Sequence, residues 1–232
     1  MPDGRHLSVA IVDHGLGNLY SVKQACAQVG LAACITSCRQ EILLADAVIL
    51  PGVGAYRDAM ETLTRLDLVS VLRDIAASSK PLLGICLGVQ LLMTESSEFG
   101  SHKGLGIIEG PVVRFPDPRE AKRKLKVPQI GWNHIHSTGV KDKANRNPWA
   151  GTLLDGLSDG ECMYFVHSYI VQPHNPSVVL STSQYGNVTF CSSLQVRNVF
   201  ACQFHPERSG VEGLKVYGNL AKRLRSSEDH RV

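Results

Sequence analysis

The sequence has no Cys-x-x-Cys pair, no long apolar run and almost no excess of either charge. No apolar stretch approaches the roughly 18–20 residues that span a bilayer. Met1-Pro2-Asp3-Gly4-Arg5-His6 also lacks the basic-then-apolar layout of a secretory leader. A cytoplasmic chain with no membrane partner is therefore expected. Lys and Arg number 24 against 21 Asp and Glu, a net charge of +3, which is not the footprint of a nucleic-acid binder. Seven cysteines is an odd count. Cys26, Cys34, Cys38, Cys162, Cys191 and Cys202 stand mostly among apolar neighbours, as reduced, buried thiols do. Cys34 and Cys38 are four apart, but no His or Cys group follows at zinc spacing. Neither metal nor cofactor is expected.

What remains is an ordinary globular composition. The 232 residues are 44% apolar and 19% charged, enough to bury a full core. No internal repeat or low-complexity linker interrupts them, so residues 1–232 read as one domain. The first half alternates short apolar runs with helical periodicity. Strands are expected at 8–13, 32–36, 47–50 and 82–85, and helices at 19–29, at 68–77 and from 89–93 onward. Asn18 is placed to cap the first helix, whose Leu19, Val22, Cys26 and Val29 share one face, and Gly30 to end it. Strands alternating with helices imply parallel pairing. The second half offers strand-like runs at 110–115, 162–171, 178–183, 188–195 and 199–204, closely spaced as in antiparallel hairpins. A last helix is expected over 213–224, where Leu214, Tyr217, Leu220, Ala221 and Leu224 recur at helical spacing, followed by a frayed polar tail at 226–232. The expected fold is α/β, with a central, mostly parallel sheet flanked by helices and antiparallel strands added in the second half. The basic stretch 114–126 reads either as a solvated loop or as a docking edge for a partner or an anionic ligand.

Leu82-Leu83-Gly84-Ile85-Cys86-Leu87-Gly88-Val89-Gln90 puts a strand, a tight turn and a helix around one cysteine. The pattern G-x-C-x-G is the thiol form of a nucleophile elbow. Gly84 and Gly88 allow close approach and a strained turn. Cys86 is then expected exposed at the carboxyl end of a central strand, at a helix N-terminus whose dipole favours a thiolate. A core cysteine between two packing glycines is the plainer reading. The balance shifts with Gln203-Phe204-His205-Pro206-Glu207. A cysteine nucleophile needs a base, His205, and the base needs an orienting group, Glu207. Residues two apart in an extended chain point the same way. A third piece, Leu50-Pro51-Gly52-Val53-Gly54, follows another strand. Backbone N–H groups at Gly52, Val53 and Gly54, with that of Leu87, could receive a developing oxyanion. A phosphate loop is not expected, since neither G-x-x-x-x-G-K nor G-x-G-x-x-G is present.

The elbow and the His-Pro-Glu triplet together resemble the class I, triad-type glutamine amidotransferases. Finer pieces are similar to the branch made up of the glutaminase subunits of imidazole glycerol phosphate synthases: Asp13-His14-Gly15-Leu16-Gly17-Asn18-Leu19, Pro51-Gly52-Val53-Gly54, Gly131-Trp132-Asn133 and Tyr164-Phe165-Val166-His167-Ser168-Tyr169. The resemblance covers about residues 8–224. It implies a Cys86-His205-Glu207 triad acting on glutamine, with Gln90 and the backbone around His167, Ser168 and Tyr169 holding the amino-acid end. It also implies a (β/α)8-barrel synthase partner that receives the ammonia, met near Asn18, Trp132, Tyr164 and Arg208. His14, Gln129-Ile130 and Arg208 depart from the branch's usual Tyr, His-Met and Lys, all expected towards the partner-facing side, and 139–148 is longer than usual. The alternatives left open are a glutaminase feeding a different synthase (one aminating a nucleotide sugar, for example), a cysteine hydrolase on a related sheet, and a non-enzymatic module.

Overall fold

The computed structural model describes residues 7–139 and 147–229. The leading residues 1–6, most of the long 139–148 stretch and the final three residues lie outside them. The first half runs β1 (Ser8–Val12), α1 (Leu19–Gln28), β2 (Ala32–Thr36), α2 (Arg39–Leu44), β3 (Ala47–Leu50), α3 (Tyr56–Arg65), α4 (Leu68–Ala77), β4 (Leu82–Ile85) and α5 (Leu87–Leu91). The second half is mostly strand: β5 (Met93–Ser96), β6 (His102–Lys103), β7 (Ile108–Arg114), β8 (Arg119–Glu120), β9 (Arg123–Lys124), β10 (Gln129–Ser137), β11 (Glu161–His167), β12 (Tyr169–Val171), β13 (Val179–Tyr185), β14 (Val188–Val196) and β15 (Val199–Cys202), closed by α6 (Gly210–Asp229).

Nine strands form one sheet in the order β11-β10-β13-β14-β15-β4-β3-β1-β2. From β2 to β15 the neighbours are parallel; from β15 outward they are antiparallel. The α/β expectation is met in both parts. β3 and β4 are buried along their whole length, which is why both read as unbroken apolar runs. A smaller sheet, β12-β7-β5-β6, packs beside the main one; the sequence pattern does not announce it.

Several boundaries differ from those expected. The helix expected from 89–93 starts at Leu87 and is over by Leu91, and Met93 opens β5. The single strand expected over 162–171 breaks at Ser168: β11 stays in the large sheet and β12 joins β7 in the small one. The last helix continues to Asp229 instead of fraying at 226. Asn18 occupies the N-cap position of α1, but its side chain accepts from Ser21 Oγ at 2.9 Å and caps no backbone N–H. α2, α3 and β10 carry little signal in the sequence. In α3 only Tyr56, Ala59 and Leu63 are buried, among charged neighbours. Along β10 only Gln129 and Ile135 are buried. The basic segment folds as the β8–β9 ribbon, with Arg123–Glu120 at 2.7 Å and Lys124–Asp117 at 2.6 Å. The Lys124 ammonium, hydrogen-bonded to Asp117, holds that exposed carboxyl below its usual range.

The site edge of the sheet depends on a close approach at α5. A Cβ added to Gly88 would lie 1.8 Å from the Leu50 carbonyl oxygen, and one on Gly84 would lie 2.8 Å from Leu92 Cδ1. The first obstacle is backbone and cannot swing aside. Gly88→Ala is expected to cost about 3 kcal/mol, a fall in Tm of roughly 6–12 °C for a chain this size. Calorimetry of the two proteins checks this; an unchanged Tm contradicts the tight packing.

Candidate active site

Three parallel strands end at one edge of the sheet. β3 runs into Pro51-Gly52-Val53-Gly54, β4 into Cys86, and β15 into Gln203-Phe204-His205. This carboxyl edge is where open α/β sheets bind ligands. Cys86 sits in the turn with φ 54° and ψ −107°, a left-handed φ that is costly for a residue with a Cβ. Contrary to expectation the cysteine is only 5% exposed. The helix after it has five residues, too few to build much of a macrodipole, so the sulfur depends on its side-chain neighbours instead. It lies 3.7 Å from both the Val166 carbonyl oxygen and Gln203 Nε2. Of the other cysteines, Cys34 and Cys38 are exposed rather than buried, and all seven are free thiols.

His205 Nδ1 and Glu207 Oε1 are 2.8 Å apart, with both side chains buried. The carboxylate accepts, so Nδ1 carries a proton and Nε2 faces away from Glu207. Burial disfavours the charged ring. The Cys86 sulfur, which interacts with it by charge and hydrogen bonding, and then Glu207 outweigh burial and push His205 up to about 10. Glu207 comes into place through a 3-10 turn over Pro206–Arg208, not through an extended chain. The backbone here is pinned on two sides. His205 N–H donates to the Tyr164 carbonyl, and Ser209 Oγ donates to the His205 carbonyl while accepting from Tyr164 N–H.

The Leu87 N–H is not free: it donates to the Gly52 carbonyl oxygen at 3.2 Å. A second clamp comes from His14, whose Nε2 is 2.7 Å from the Pro51 carbonyl oxygen. A carbonyl only accepts, so this ring nitrogen is the donor. His14 and Gln129 are both buried, which corrects their expected place on the partner-facing side. Only Ile130 and Arg208 among the departing residues are exposed.

A pocket of about 230 Å³ opens beside the sulfur, lined by Val53, Gly54, Cys86, Leu87, Gln90, Glu98 and the 166–169 segment. Gln90, His167, Ser168 and Tyr169, singled out in the sequence, are thus together at one site. Gln90 Nε2 donates to the Tyr169 carbonyl at 3.2 Å, and His167 Nδ1 donates to the same oxygen at 2.9 Å. Burial holds His167 down at about 4, so the ring is neutral near pH 7. Glu98, Pro128, Val166 and Gln203 join the site without having been given a role from the sequence. Glu98 sits in no recognisable pattern. Gln203 could have been found, since it stands two residues before His205 in a strand end. On the outer face, Trp132 meets Tyr164 edge-on at 5.9 Å, and the Arg208 guanidinium lies 4.9 Å above the Tyr164 ring. Tyr164 is in turn 6.5 Å from the His205 ring. Asn18 is at the N-cap of α1. Among the described residues, no group of three or more His, Cys, Asp or Glu could hold a metal ion, and no helix is long and apolar enough to cross a membrane.

The charge balance at His205 gives a signed expectation. The sulfur raises the ring more than the carboxylate does. Cys86→Ala should therefore lower the His205 titration midpoint further than Glu207→Gln, and both should lower it, because burial is left less opposed. Histidine-selective NMR titration reads this; a midpoint unmoved by either change contradicts the assigned neighbours.

The sequence profile of the family described as glutamine amidotransferase class-I matches residues 10–220. A chain from Syntrophotalea carbinolica named imidazole glycerol phosphate synthase subunit HisH is 47% identical over 91% of this chain and 98% of its own. One of the same name from Aquifex aeolicus is 42% identical over 94% and 97%. Among solved structures, a GMP synthase-like protein from Thermoplasma acidophilum superposes with a TM-score of 0.68 at 16% identity, covering 99% of both chains. PurLQS from Thermotoga maritima gives 0.69 at 16%, covering 95% of this chain and 100% of that one. These two likenesses speak for the fold alone. The profile and the relatives together establish that the chain belongs to the class I glutamine amidotransferases, in the branch of the HisH subunits.

Proposed function

We propose that this chain is the glutaminase subunit of an imidazole glycerol phosphate synthase, with Cys86, His205 and Glu207 as its catalytic triad. The observation that carries the reading is the buried His205–Glu207 pair set against the Cys86 sulfur at the wall of a pocket. The Cys86 thiolate attacks the side-chain amide carbon of glutamine. The carbonyl oxygen becomes an oxyanion received by the N–H groups of Val53 and Leu87. His205 gives its Nε2 proton to the departing ammonia, leaving a γ-glutamyl thioester. Water adds to the thioester with His205 as base, the sulfur leaves, and glutamate is released. Glu207 keeps the imidazole oriented and stabilises its charged form. At the other end of the substrate, both Gln90 N–H bonds go to protein acceptors, so its amide oxygen is what it can offer the α-ammonium. The Glu98 carboxylate in the pocket lining supplies a counter-charge.

Since Leu87 N–H is bound to the Gly52 carbonyl, the Gly52–Val53 peptide must turn before both donors face the substrate. That geometry supports a subunit that is nearly silent alone and is switched on by its partner. The partner is a (β/α)8-barrel synthase. It would meet the face carrying Asn18, Trp132, Tyr164 and Arg208 and take up the ammonia to make imidazole glycerol phosphate and aminoimidazole carboxamide ribotide. The names of the relatives favour this partner over a synthase that aminates a nucleotide sugar.

Cys86→Ala should abolish glutamine-dependent synthesis in the complex while synthesis from added ammonia survives. Persisting glutamine turnover would remove Cys86 as nucleophile. Glu207→Gln should lower kcat less than His205→Ala does, because the base remains. The free chain should hydrolyse glutamine on the order of a hundredfold more slowly than the complex, as expected when one oxyanion donor is missing; equal rates would refute the gating.

A further inference from the structure

One fully buried side chain at the site has no part in the mechanism above. Gln203 follows β15, its backbone N–H donating to the Ser192 carbonyl at 2.9 Å, and its side chain is 0% exposed. Its amide lies between two groups of the site. Oε1 accepts from Gln90 Nε2 at 3.2 Å, and Nε2 is 3.7 Å from Cys86 Sγ.

The direction of this chain of bonds is forced from one end. The Tyr169 carbonyl can only accept, so Gln90 must turn its NH2 towards it. That same NH2 faces Gln203, which must answer with its oxygen. The Gln203 NH2 is then left pointing at the sulfur. Reversing either amide would set donor against donor or acceptor against acceptor in a dry interior, at a cost of about 1–3 kcal/mol for each buried group left unpaired. Besides His205, the sulfur is also close to the Val166 carbonyl, which accepts only. That carbonyl suits the thiol and opposes the thiolate, whereas the Gln203 amide does the reverse. The titratable groups that interact with Cys86 are His205, on the same strand end as Gln203, and Cys202, with Glu207 behind them.

We propose that Gln203 is a positioning residue of this active site, donating to the Cys86 thiolate and coupling it through Gln90 to the Tyr169 segment that holds the substrate's amino-acid end. The inference rests on Cys86 being the nucleophile of the proposed reaction. The amide aims the sulfur as well as stabilising it, because its own orientation is fixed by the substrate-side segment.

Gln203→Glu is nearly the same shape and keeps an oxygen for Gln90, but sets a carboxyl group against the sulfur; Gln203→Leu removes the donor without adding charge. With iodoacetamide as probe and the Cys86 peptide quantified by mass spectrometry, Gln203→Glu should slow alkylation at pH 7 on the order of tenfold and Gln203→Leu by less. Both gaps should narrow as the pH is raised, because a donor to the thiolate matters less where more of the sulfur is ionised. In the complex with the barrel synthase, kcat for glutamine should fall by a similar factor with KM changed less than about threefold. Circular dichroism identifies a variant that does not fold, in which case the other decides. Alkylation at the wild-type rate, or a deficit of the same size at every pH, would overturn the role. A wild-type complex that turns over no glutamine would instead sink the proposed reaction, while the alkylation arm would still decide the Gln203 contact.

Discussion

The approach of Gly88 to the Leu50 carbonyl sets the geometry of this edge of the molecule. With no side chain at 88 or 84, α5 can lie directly against the ends of β3 and β4. The turn between strand and helix must then be short, and its central residue takes a left-handed φ. That residue is Cys86. Its strain is held by packing on both sides, which is how backbone in a sparsely populated region persists. A looser elbow would put the sulfur at a different height from the His205 ring and out of register with Gly52 and Val53.

Around the elbow, buried polar groups are arranged by what they can donate or accept. The His205 ring is held at Nδ1 by a carboxylate and at its backbone by Tyr164 and Ser209. His14 holds the Pro51 carbonyl. The Tyr169 carbonyl takes bonds from both Gln90 and His167. Each contact excludes one tautomer or one amide flip, so the site has few alternative arrangements in a medium where an unpaired polar group is expensive. The outer stack of Trp132, Tyr164 and Arg208 is tied into the same set through the Tyr164 backbone, one hydrogen bond from His205. A partner pressing on that stack would thus act on a residue already bonded to the His205 backbone.

Much of this was legible in the residues because the governing physics was local. Val9–Val12 and Ala47–Leu50 are unbroken apolar runs, and only a strand covered on both faces wants that. The glycines at 84 and 88 flag a tight elbow whatever surrounds it. The less legible parts depended on tertiary context. Nothing in Glu161–His167 and Tyr169–Val171 announces that the chain changes sheets at Ser168, since both pieces are good strand sequence. β10 is hidden because its outward positions, Ile130, Trp132, His134 and His136, mix apolar and polar residues. Such a mixture follows neither a core strand nor a solvated one. Glu98 reaches the pocket from beyond β5, and no spacing could have linked it to Cys86.

The turn after β3 poses a different problem, one of population rather than placement. The Leu87 N–H cannot serve the Gly52 carbonyl and a substrate oxyanion together. In the resting arrangement one of the two proposed donors is therefore spent. Removing a single donor of this kind costs about 10²–10³ in rate, so the bond by itself can account for a subunit that idles. To reverse the balance, a partner needs differential affinity for the turned peptide; binding both forms equally well would change nothing however tight the complex. Moving the peptide from one part in a hundred to ninety-nine takes about 5.5 kcal/mol of such discrimination, more than one surface ion pair can supply. The burial of a large, shared apolar patch can supply it. The exposed Val53, Ile130 and Trp132 side chains include the very residue whose N–H must turn. A partner that packs on Val53 in only one of its two orientations would gain its binding energy and turn the Gly52–Val53 peptide in the same step.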